Sequence, residues 1–114
     1  MTVVDLIAPW EKKRSTAPKQ VIQELSRIPG VGSAIAADLY LLGIRQVSDL
    51  REANPEALYR DLCGAVGQRV DRCVLYVFRA AVYFASESEH TPDLLKWWNW
   101  KDGPMPRREI GVVR

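Results

Sequence analysis

The chain has little of what catalytic and metal sites are usually built from. It contains a single histidine and two cysteines among its 114 residues. One histidine without a nucleophile motif argues against acid–base catalysis, and the spacing of Cys63, Cys73 and His90 matches no zinc-site or redox pattern. Acidic residues are scattered, whereas a metal-dependent nuclease needs them clustered. We therefore expect no enzyme activity, no metal or other cofactor, and no small-molecule substrate.

Long apolar runs and a secretion signal are also missing. No apolar stretch reaches the ~18 residues that a bilayer span needs, so we expect no membrane association. The first nine residues are too short for a signal peptide and carry Asp5 in place of a basic flank. We therefore expect a cytoplasmic protein in which Cys63 and Cys73 are reduced, buried thiols. Hydrophobic residues still make up 47% of the chain, enough for one folded domain.

A large excess of positive charge is missing as well. The formal net charge is only +2, and it is unevenly distributed. Residues 1–19 and 91–114 each carry +2, whereas residues 20–55 and 56–90 each carry −1. Because contacts of Lys and Arg with phosphate dominate nucleic-acid affinity, this distribution weakens the simplest DNA-binding interpretation.

Helical patterns interrupted by proline and glycine fill the chain, and no segment shows the two-residue alternation of a β-strand. Asn54 gives the clearest helix start, because it can cap the helix and a proline suited to the first turn follows it. The segment 68–86 is apolar on nearly all faces, which is typical of a central, buried helix. The expected helices span residues 18–27, 32–42, 47–52, 55–63, 68–86 and 91–98.

The most informative pattern is the turn that joins the first two expected helices, at residues 29–32. Its proline cannot continue a helix, and its first glycine can adopt a positive φ without steric cost. In a functional interpretation, the backbone N–H groups of Gly30, Val31, Gly32 and Ser33 bind a nucleic-acid phosphate, aided by the second helix's positive end. In a structural interpretation, the turn serves packing alone and Val31 fills the core.

A second glycine-flanked break, at residues 64–67, resembles the first and suggests a duplicated hairpin. Gly64 and Gly67 supply exposed amides in this interpretation, and Arg69 and Arg72 add guanidinium groups beside them. The alternative is a solvated surface on which these arginines form ordinary ion pairs.

Aromatic and basic residues alternate near the end of the chain, at residues 96–101. Trp98, Trp100 and Lys101 form a candidate interaction surface, because single-strand binders stack bases on such side chains. An exposed Trp100 beside Lys101 would equally suit a protein partner. The tryptophans can also pack onto the buried fifth helix, and we expect this of Trp97 or Trp98.

Several of these runs together resemble the Cdd1, or pathogenicity locus, family of small bacterial proteins. The resemblance spans roughly residues 20–102. It implies a helix-hairpin-helix fold and carries over no catalytic residues. Residues 33–38 contain no Lys or Arg, which many nucleic-acid-binding helix-hairpin-helix proteins have just after the second glycine. The matching runs are residues 28–32, 38–39, 43–44, 50–51, 71–79 and 94–101.

We therefore expect an all-α fold, a compact, SAM-like domain of five to six helices built on a duplicated helix-hairpin-helix. It occupies residues 18–102, between an N-terminal arm at 1–17 and a C-terminal tail at 103–114. The favoured function is a non-catalytic module that binds the DNA backbone independently of base sequence through the hairpin turns. The alternative is a protein–protein interaction module that keeps the fold without binding nucleic acid.

Overall fold

The computed structural model describes residues 9–102, and this part of the chain is entirely helical, without a strand. The all-α expectation is thus confirmed there. None of these helices is both long enough and apolar enough to cross a bilayer. The expected tail at 103–114 and the first eight residues of the expected arm lie outside the described residues. Five α-helices form: α1 (Pro9–Ser15), α2 (Lys19–Leu25), α3 (Ser33–Leu41), α4 (Pro55–Val66) and α5 (Arg72–Ser86).

Three 3-10 helices complete the described fold, at Val47–Leu50, Pro92–Leu95 and Trp97–Trp100. The first replaces the short α-helix expected at residues 47–52. The last two replace the single helix expected at residues 91–98, because the chain takes an extended conformation at Lys96, with φ −90° and ψ 113°. The tryptophans of this segment therefore project from a 3-10 turn.

Helix α4 begins as predicted and ends later than predicted. The side chain of Asn54 accepts the N–H of Ala57 at 3.0 Å, and a proline follows it. The expected break at Gly64 is wrong, since α4 continues to Val66 and ends at Gly67. A glycine inside a helix costs only about 1 kcal/mol, so α4 continues through Gly64. The residue that ends α4 has a left-handed backbone, with φ +83°, and glycine is strongly preferred in that conformation.

Helix α5 lies at the centre of the fold, as predicted, in contact with α4 and all three 3-10 helices. Its completely buried side chains include Leu75, Phe78 and Ala81. It begins at Arg72, later than expected, where the side chain of Asp71 accepts the N–H of Cys73 at 2.9 Å.

The two cysteines differ from the buried thiols that were expected. The expected burial of Cys73 is wrong, because this residue is exposed in the first turn of α5. Cys63 of α4 is half-buried, and its sulfur accepts the N–H of Val70 at 3.4 Å.

Two carboxylates connect the elements around α3. Arg14 of α1 donates to Asp38 at 2.5 Å and to the carbonyl of Ala34 at 3.1 Å, which attaches part of the expected N-terminal arm to α3. Burial raises the pKa of Asp38, and the Arg14 guanidinium opposes that rise. The other carboxylate, Glu24 of α2, accepts the N–H of Val47 at 3.0 Å, which lowers its pKa.

Candidate nucleic-acid interface

The turn between α2 and α3 is a hydrogen-bonded β-turn. The N–H of Val31 donates to the carbonyl of Ile28 at 3.0 Å, and Gly30 between them has φ +87°. A proline followed by a residue of positive φ is the arrangement of a type II turn. The side chain of Val31 is buried in the core. Because its N–H is used within the turn, Val31 leaves the set of amides that was predicted to bind phosphate.

Gly30 is required by the fold for two separate reasons. Its positive φ strains any residue with a Cβ, and a Cβ there would lie 3.0 Å from Cδ1 of Trp97. The indole of Trp97 therefore covers the turn. Two patterns that the sequence presents separately, the glycine turn and the tryptophan run, are in direct contact.

Gly32 differs from Gly30, because nothing in the fold requires a glycine there. Its φ of −92° and ψ of −169° are extended values open to any residue, and a Cβ at this position would have no neighbouring atom within 4 Å. It is the N-cap residue of α3, and no side chain caps the amides that follow. Gly32, Ser33 and Ala34 are all exposed. The start of α3 thus presents accessible N–H groups to solvent.

Helix α1 brings a cation to this end of α3. The guanidinium of Arg14 contacts the carbonyl of Ala34, in the first turn of α3, and it is about one-third exposed. Because Asp38 pairs with the same guanidinium at 2.5 Å, Arg14 attaches α1 to α3 and does not by itself replace the basic residue that residues 33–38 lack. An open groove runs between the two helices, lined by Glu11, Arg14, Ser15, Ser33, Ala34 and Ala37.

The second predicted site does not form a matching turn. Gly64 lies within α4, and Gly67 ends it. Arg69 is exposed. Arg72 forms an ion pair with Asp102, with N–O distances of 2.6 and 3.2 Å. This ion pair raises the pKa of Arg72 and lowers that of Asp102. Gly67 is exposed, but its N–H donates to the carbonyl of Cys63 at 2.8 Å, so it does not offer the amide that was predicted. Of the predicted residues here, Arg69 keeps an exposed position.

The tryptophan segment exposes Trp98 and not Trp100, which corrects the expected anchor. The indole N–H of Trp100 donates to the carbonyl of Leu94 at 2.8 Å, and its ring packs 5.7 Å from that of Tyr83. Trp98 is 51% exposed. It packs edge-on against half-buried Trp97, with ring centroids 5.6 Å apart. Lys101 is exposed, as predicted.

Sequence reasoning missed the long-range contacts of three residues: Arg14, Trp97 and Asp102. Arg14 stands in a basic run whose docking on α3 no local pattern indicates. The carboxylate of Asp102 pairs with two arginines of α5, Arg72 and Arg79, which lie far from it in sequence. Within residues 9–102, no group of three or more His, Cys, Asp or Glu side chains is placed to hold a metal ion.

Comparison with known proteins identifies the family of this chain. The family model Cdd1, described as "Pathogenicity locus", matches residues 18–104, which include the turn and the tryptophan segment but not α1. A "Mitomycin resistance protein McrB" from Streptomyces lavendulae is 31% identical over 77 residues, which are 68% of this chain and 70% of that protein. No solved structure matches the chain. The chain belongs to the Cdd1, or pathogenicity locus, family.

Proposed function

We propose that the protein is a non-catalytic module that binds the phosphate backbone of DNA through the turn at residues 29–32. In this proposal α2, the turn and α3 act as a helix-hairpin-helix motif. Backbone contacts read no bases, so binding is independent of sequence.

Gly32 is the observation that carries this proposal. Asp, Asn and Ser cap helices at least as well as glycine, and they cover the first amides with a side-chain oxygen. Gly32 has room for such a side chain and a backbone conformation that accepts one. A glycine at this position instead leaves the amides of the first turn of α3 open, and such a helix start attracts anions.

The cations for this site come from α1. Lys12 and Lys13 are exposed, and Arg14 next to them attaches α1 to the first turn of α3 while it pairs with Asp38. In this proposal α1 supplies the positive charge for a phosphate at the amides of Gly32 and Ser33, because residues 33–38 of the hairpin contain no Lys or Arg. We give exposed Arg69, which follows α4, an accessory role on the same backbone.

A protein–protein interaction module is the second candidate, and exposed Trp98 favours it. Rigid aromatic side chains are common anchors at protein interfaces. The two candidates differ in salt dependence, since phosphate contacts weaken steeply as salt rises. They also differ in their response to Gly32→Glu, which should abolish DNA binding and leave a protein interaction centred on Trp98 unchanged.

The name of the Streptomyces lavendulae relative suggests a cellular role in resistance to mitomycin. We propose that the chain raises the survival of a mitomycin-sensitive bacterium that expresses it. The matched comparison is the same strain expressing the Gly32→Glu variant, which lacks the proposed DNA contact. Equal survival without the protein would contradict this role.

The direct test of DNA binding compares Gly32→Glu with Gly32→Gln. Both side chains fit the open space at this position, and only Glu places a negative charge beside the amides. Fluorescence anisotropy with labelled DNA at about 50 and 200 mM salt measures the affinity of each. We expect binding that weakens with salt and is lost chiefly in the Glu variant. Equal affinities for the Glu and Gln variants, both folded by circular dichroism, would contradict the proposal.

A further inference from the structure

We propose that Trp98 is a stacking platform for an unpaired base, so that the nucleic acid bound most tightly is single-stranded DNA. This inference rests on the proposed function and names its substrate class. It starts from the contact between the tryptophan segment and the glycine turn, which places an aromatic surface next to the proposed phosphate site.

The two surfaces are linked through a single ring. The indole of Trp97 covers Gly30, with its Cδ1 3.0 Å from the position of a Cβ there. The ring of Trp98 meets that of Trp97 edge-on, at an interplanar angle of 85°. Trp98 therefore stands one side chain away from the turn whose amides we assign to the phosphate.

The segment that carries Trp98 is held in place before any ligand arrives. The side chain of Asn99 donates to the carbonyl of Asp93 at 2.8 Å, and Trp100 donates to that of Leu94 at the same distance. Arg79 of α5 donates to the carbonyl of Trp100 at 2.6 Å. An exposed side chain on an anchored backbone loses little further freedom on binding, which favours affinity.

The surroundings of Trp98 fit a base better than a protein. Among the described residues, Trp98 is the large hydrophobic side chain that is exposed, whereas the centre of a protein interface combines several apolar and aromatic groups. Lys96 and Lys101 flank it in the sequence and are exposed, with the Lys96 ammonium 3.6 Å from the Asp93 carboxylate. Single-strand binders likewise combine aromatic rings, on which bases stack, with basic groups that follow the backbone.

Duplex DNA keeps its bases stacked on each other, so a surface ring reaches them only after unpairing, which costs free energy. A single strand offers its bases at no such cost. The turn therefore binds both forms, while Trp98 adds affinity for the single strand alone.

The test measures three variants against three DNA probes by fluorescence anisotropy. The variants are Trp98→Ala, Trp98→Phe, which keeps an aromatic face, and Trp98→Leu, which keeps only the apolar surface. The probes are a labelled single strand, its duplex, and an abasic strand of equal length that keeps the phosphates without bases. Circular dichroism confirms that each variant is folded.

We expect the wild-type protein to bind the single strand at least about fivefold more tightly than the duplex or the abasic strand. Trp98→Ala should lose between about fivefold and about 150-fold on the single strand, the range for stacking one base, and nothing on the abasic strand. Trp98→Phe should recover most of the loss, and Trp98→Leu little of it. An RNA strand bound more tightly than the DNA strand would overturn the assignment to DNA.

Failure of this inference differs from failure of the proposed function. If Trp98→Ala binds the single strand like the wild-type protein while Gly32→Glu loses all three probes, the inference is overturned and the turn keeps its role. Equal losses of Trp98→Ala on the single and abasic strands would also overturn it. If the wild-type protein binds none of the probes, both proposals are overturned.

Discussion

Replacement of Gly32 by Asp should stabilise the protein and weaken its binding of DNA at the same time. The position has an extended backbone and no atom within 4 Å of a Cβ, so the carboxylate can cap the first turn of α3 without strain. A capping side chain gains a few tenths of a kcal/mol over glycine. Its negative charge at the positive end of the helix adds about 0.3–1 kcal/mol.

The combined gain is about 0.5–1.5 kcal/mol, which raises the melting temperature by several degrees in a domain of this size. Binding should fall roughly tenfold or more, because a hydrogen bond to a charged group contributes about 1.5–3 kcal/mol and the carboxylate occupies the amides that would hold a phosphate. Gly32→Asn is the matched control. It caps the helix without a charge, so it should stabilise less and weaken binding less.

Thermal denaturation followed by circular dichroism gives the stability, and anisotropy with labelled DNA at fixed salt gives the affinity. A more stable Gly32→Asp variant that binds DNA like the wild-type protein would refute the reasoning, because the amides would then be capped without any effect on function. A destabilised variant would instead show that the position has less room than its backbone indicates.

Three further substitutions test the fold that positions this site. Gly30→Ala should lower the free energy of unfolding by about 1–3 kcal/mol, because a positive φ strains alanine and its Cβ meets Trp97; urea denaturation measures the loss, and an unchanged midpoint would contradict it. Phe78→Ala, at a completely buried position, should cost about 3–5 kcal/mol in the same assay. Asp102 has a pKa held below its usual value of 3.8 by Arg72, so its contribution to stability is present above that value and is lost as the pH falls further. Asp102→Asn should remove this part of the acid dependence of tryptophan fluorescence, and an identical acid titration for the two proteins would contradict the assignment.

The sequence predicted those parts of the fold that depend on interactions between residues close together in the chain. The cap at Asn54 and the proline that follows it set the start of α4. The positive φ that Gly30 adopts sets the turn between α2 and α3. Gly64 misled the prediction because a helix can absorb one glycine. Which glycine ends α4 depends on the backbone conformation at that point, and it is Gly67 that adopts the left-handed φ of +83°.

The candidate site depends on contacts between residues far apart in the chain, which no local pattern specifies. Trp97 covers Gly30, and Arg14 reaches the first turn of α3. The sequence identified the turn and the tryptophan run as separate features. It could not indicate that Trp100 is the ring that turns inward, because that depends on the hydrogen bond of its indole to the carbonyl of Leu94 and on its contact with Tyr83. The expectation of no enzyme activity stays a prediction.

The most direct test of the phosphate site follows the backbone amide signals of Gly32 and Ser33 by NMR while single-stranded DNA is added. Gly43, another exposed glycine, serves as the internal control. We expect the Gly32 and Ser33 signals to shift strongly and saturably at low salt, and the Gly43 signal to stay in place. DNA binding that leaves the Gly32 and Ser33 signals unmoved would contradict the account.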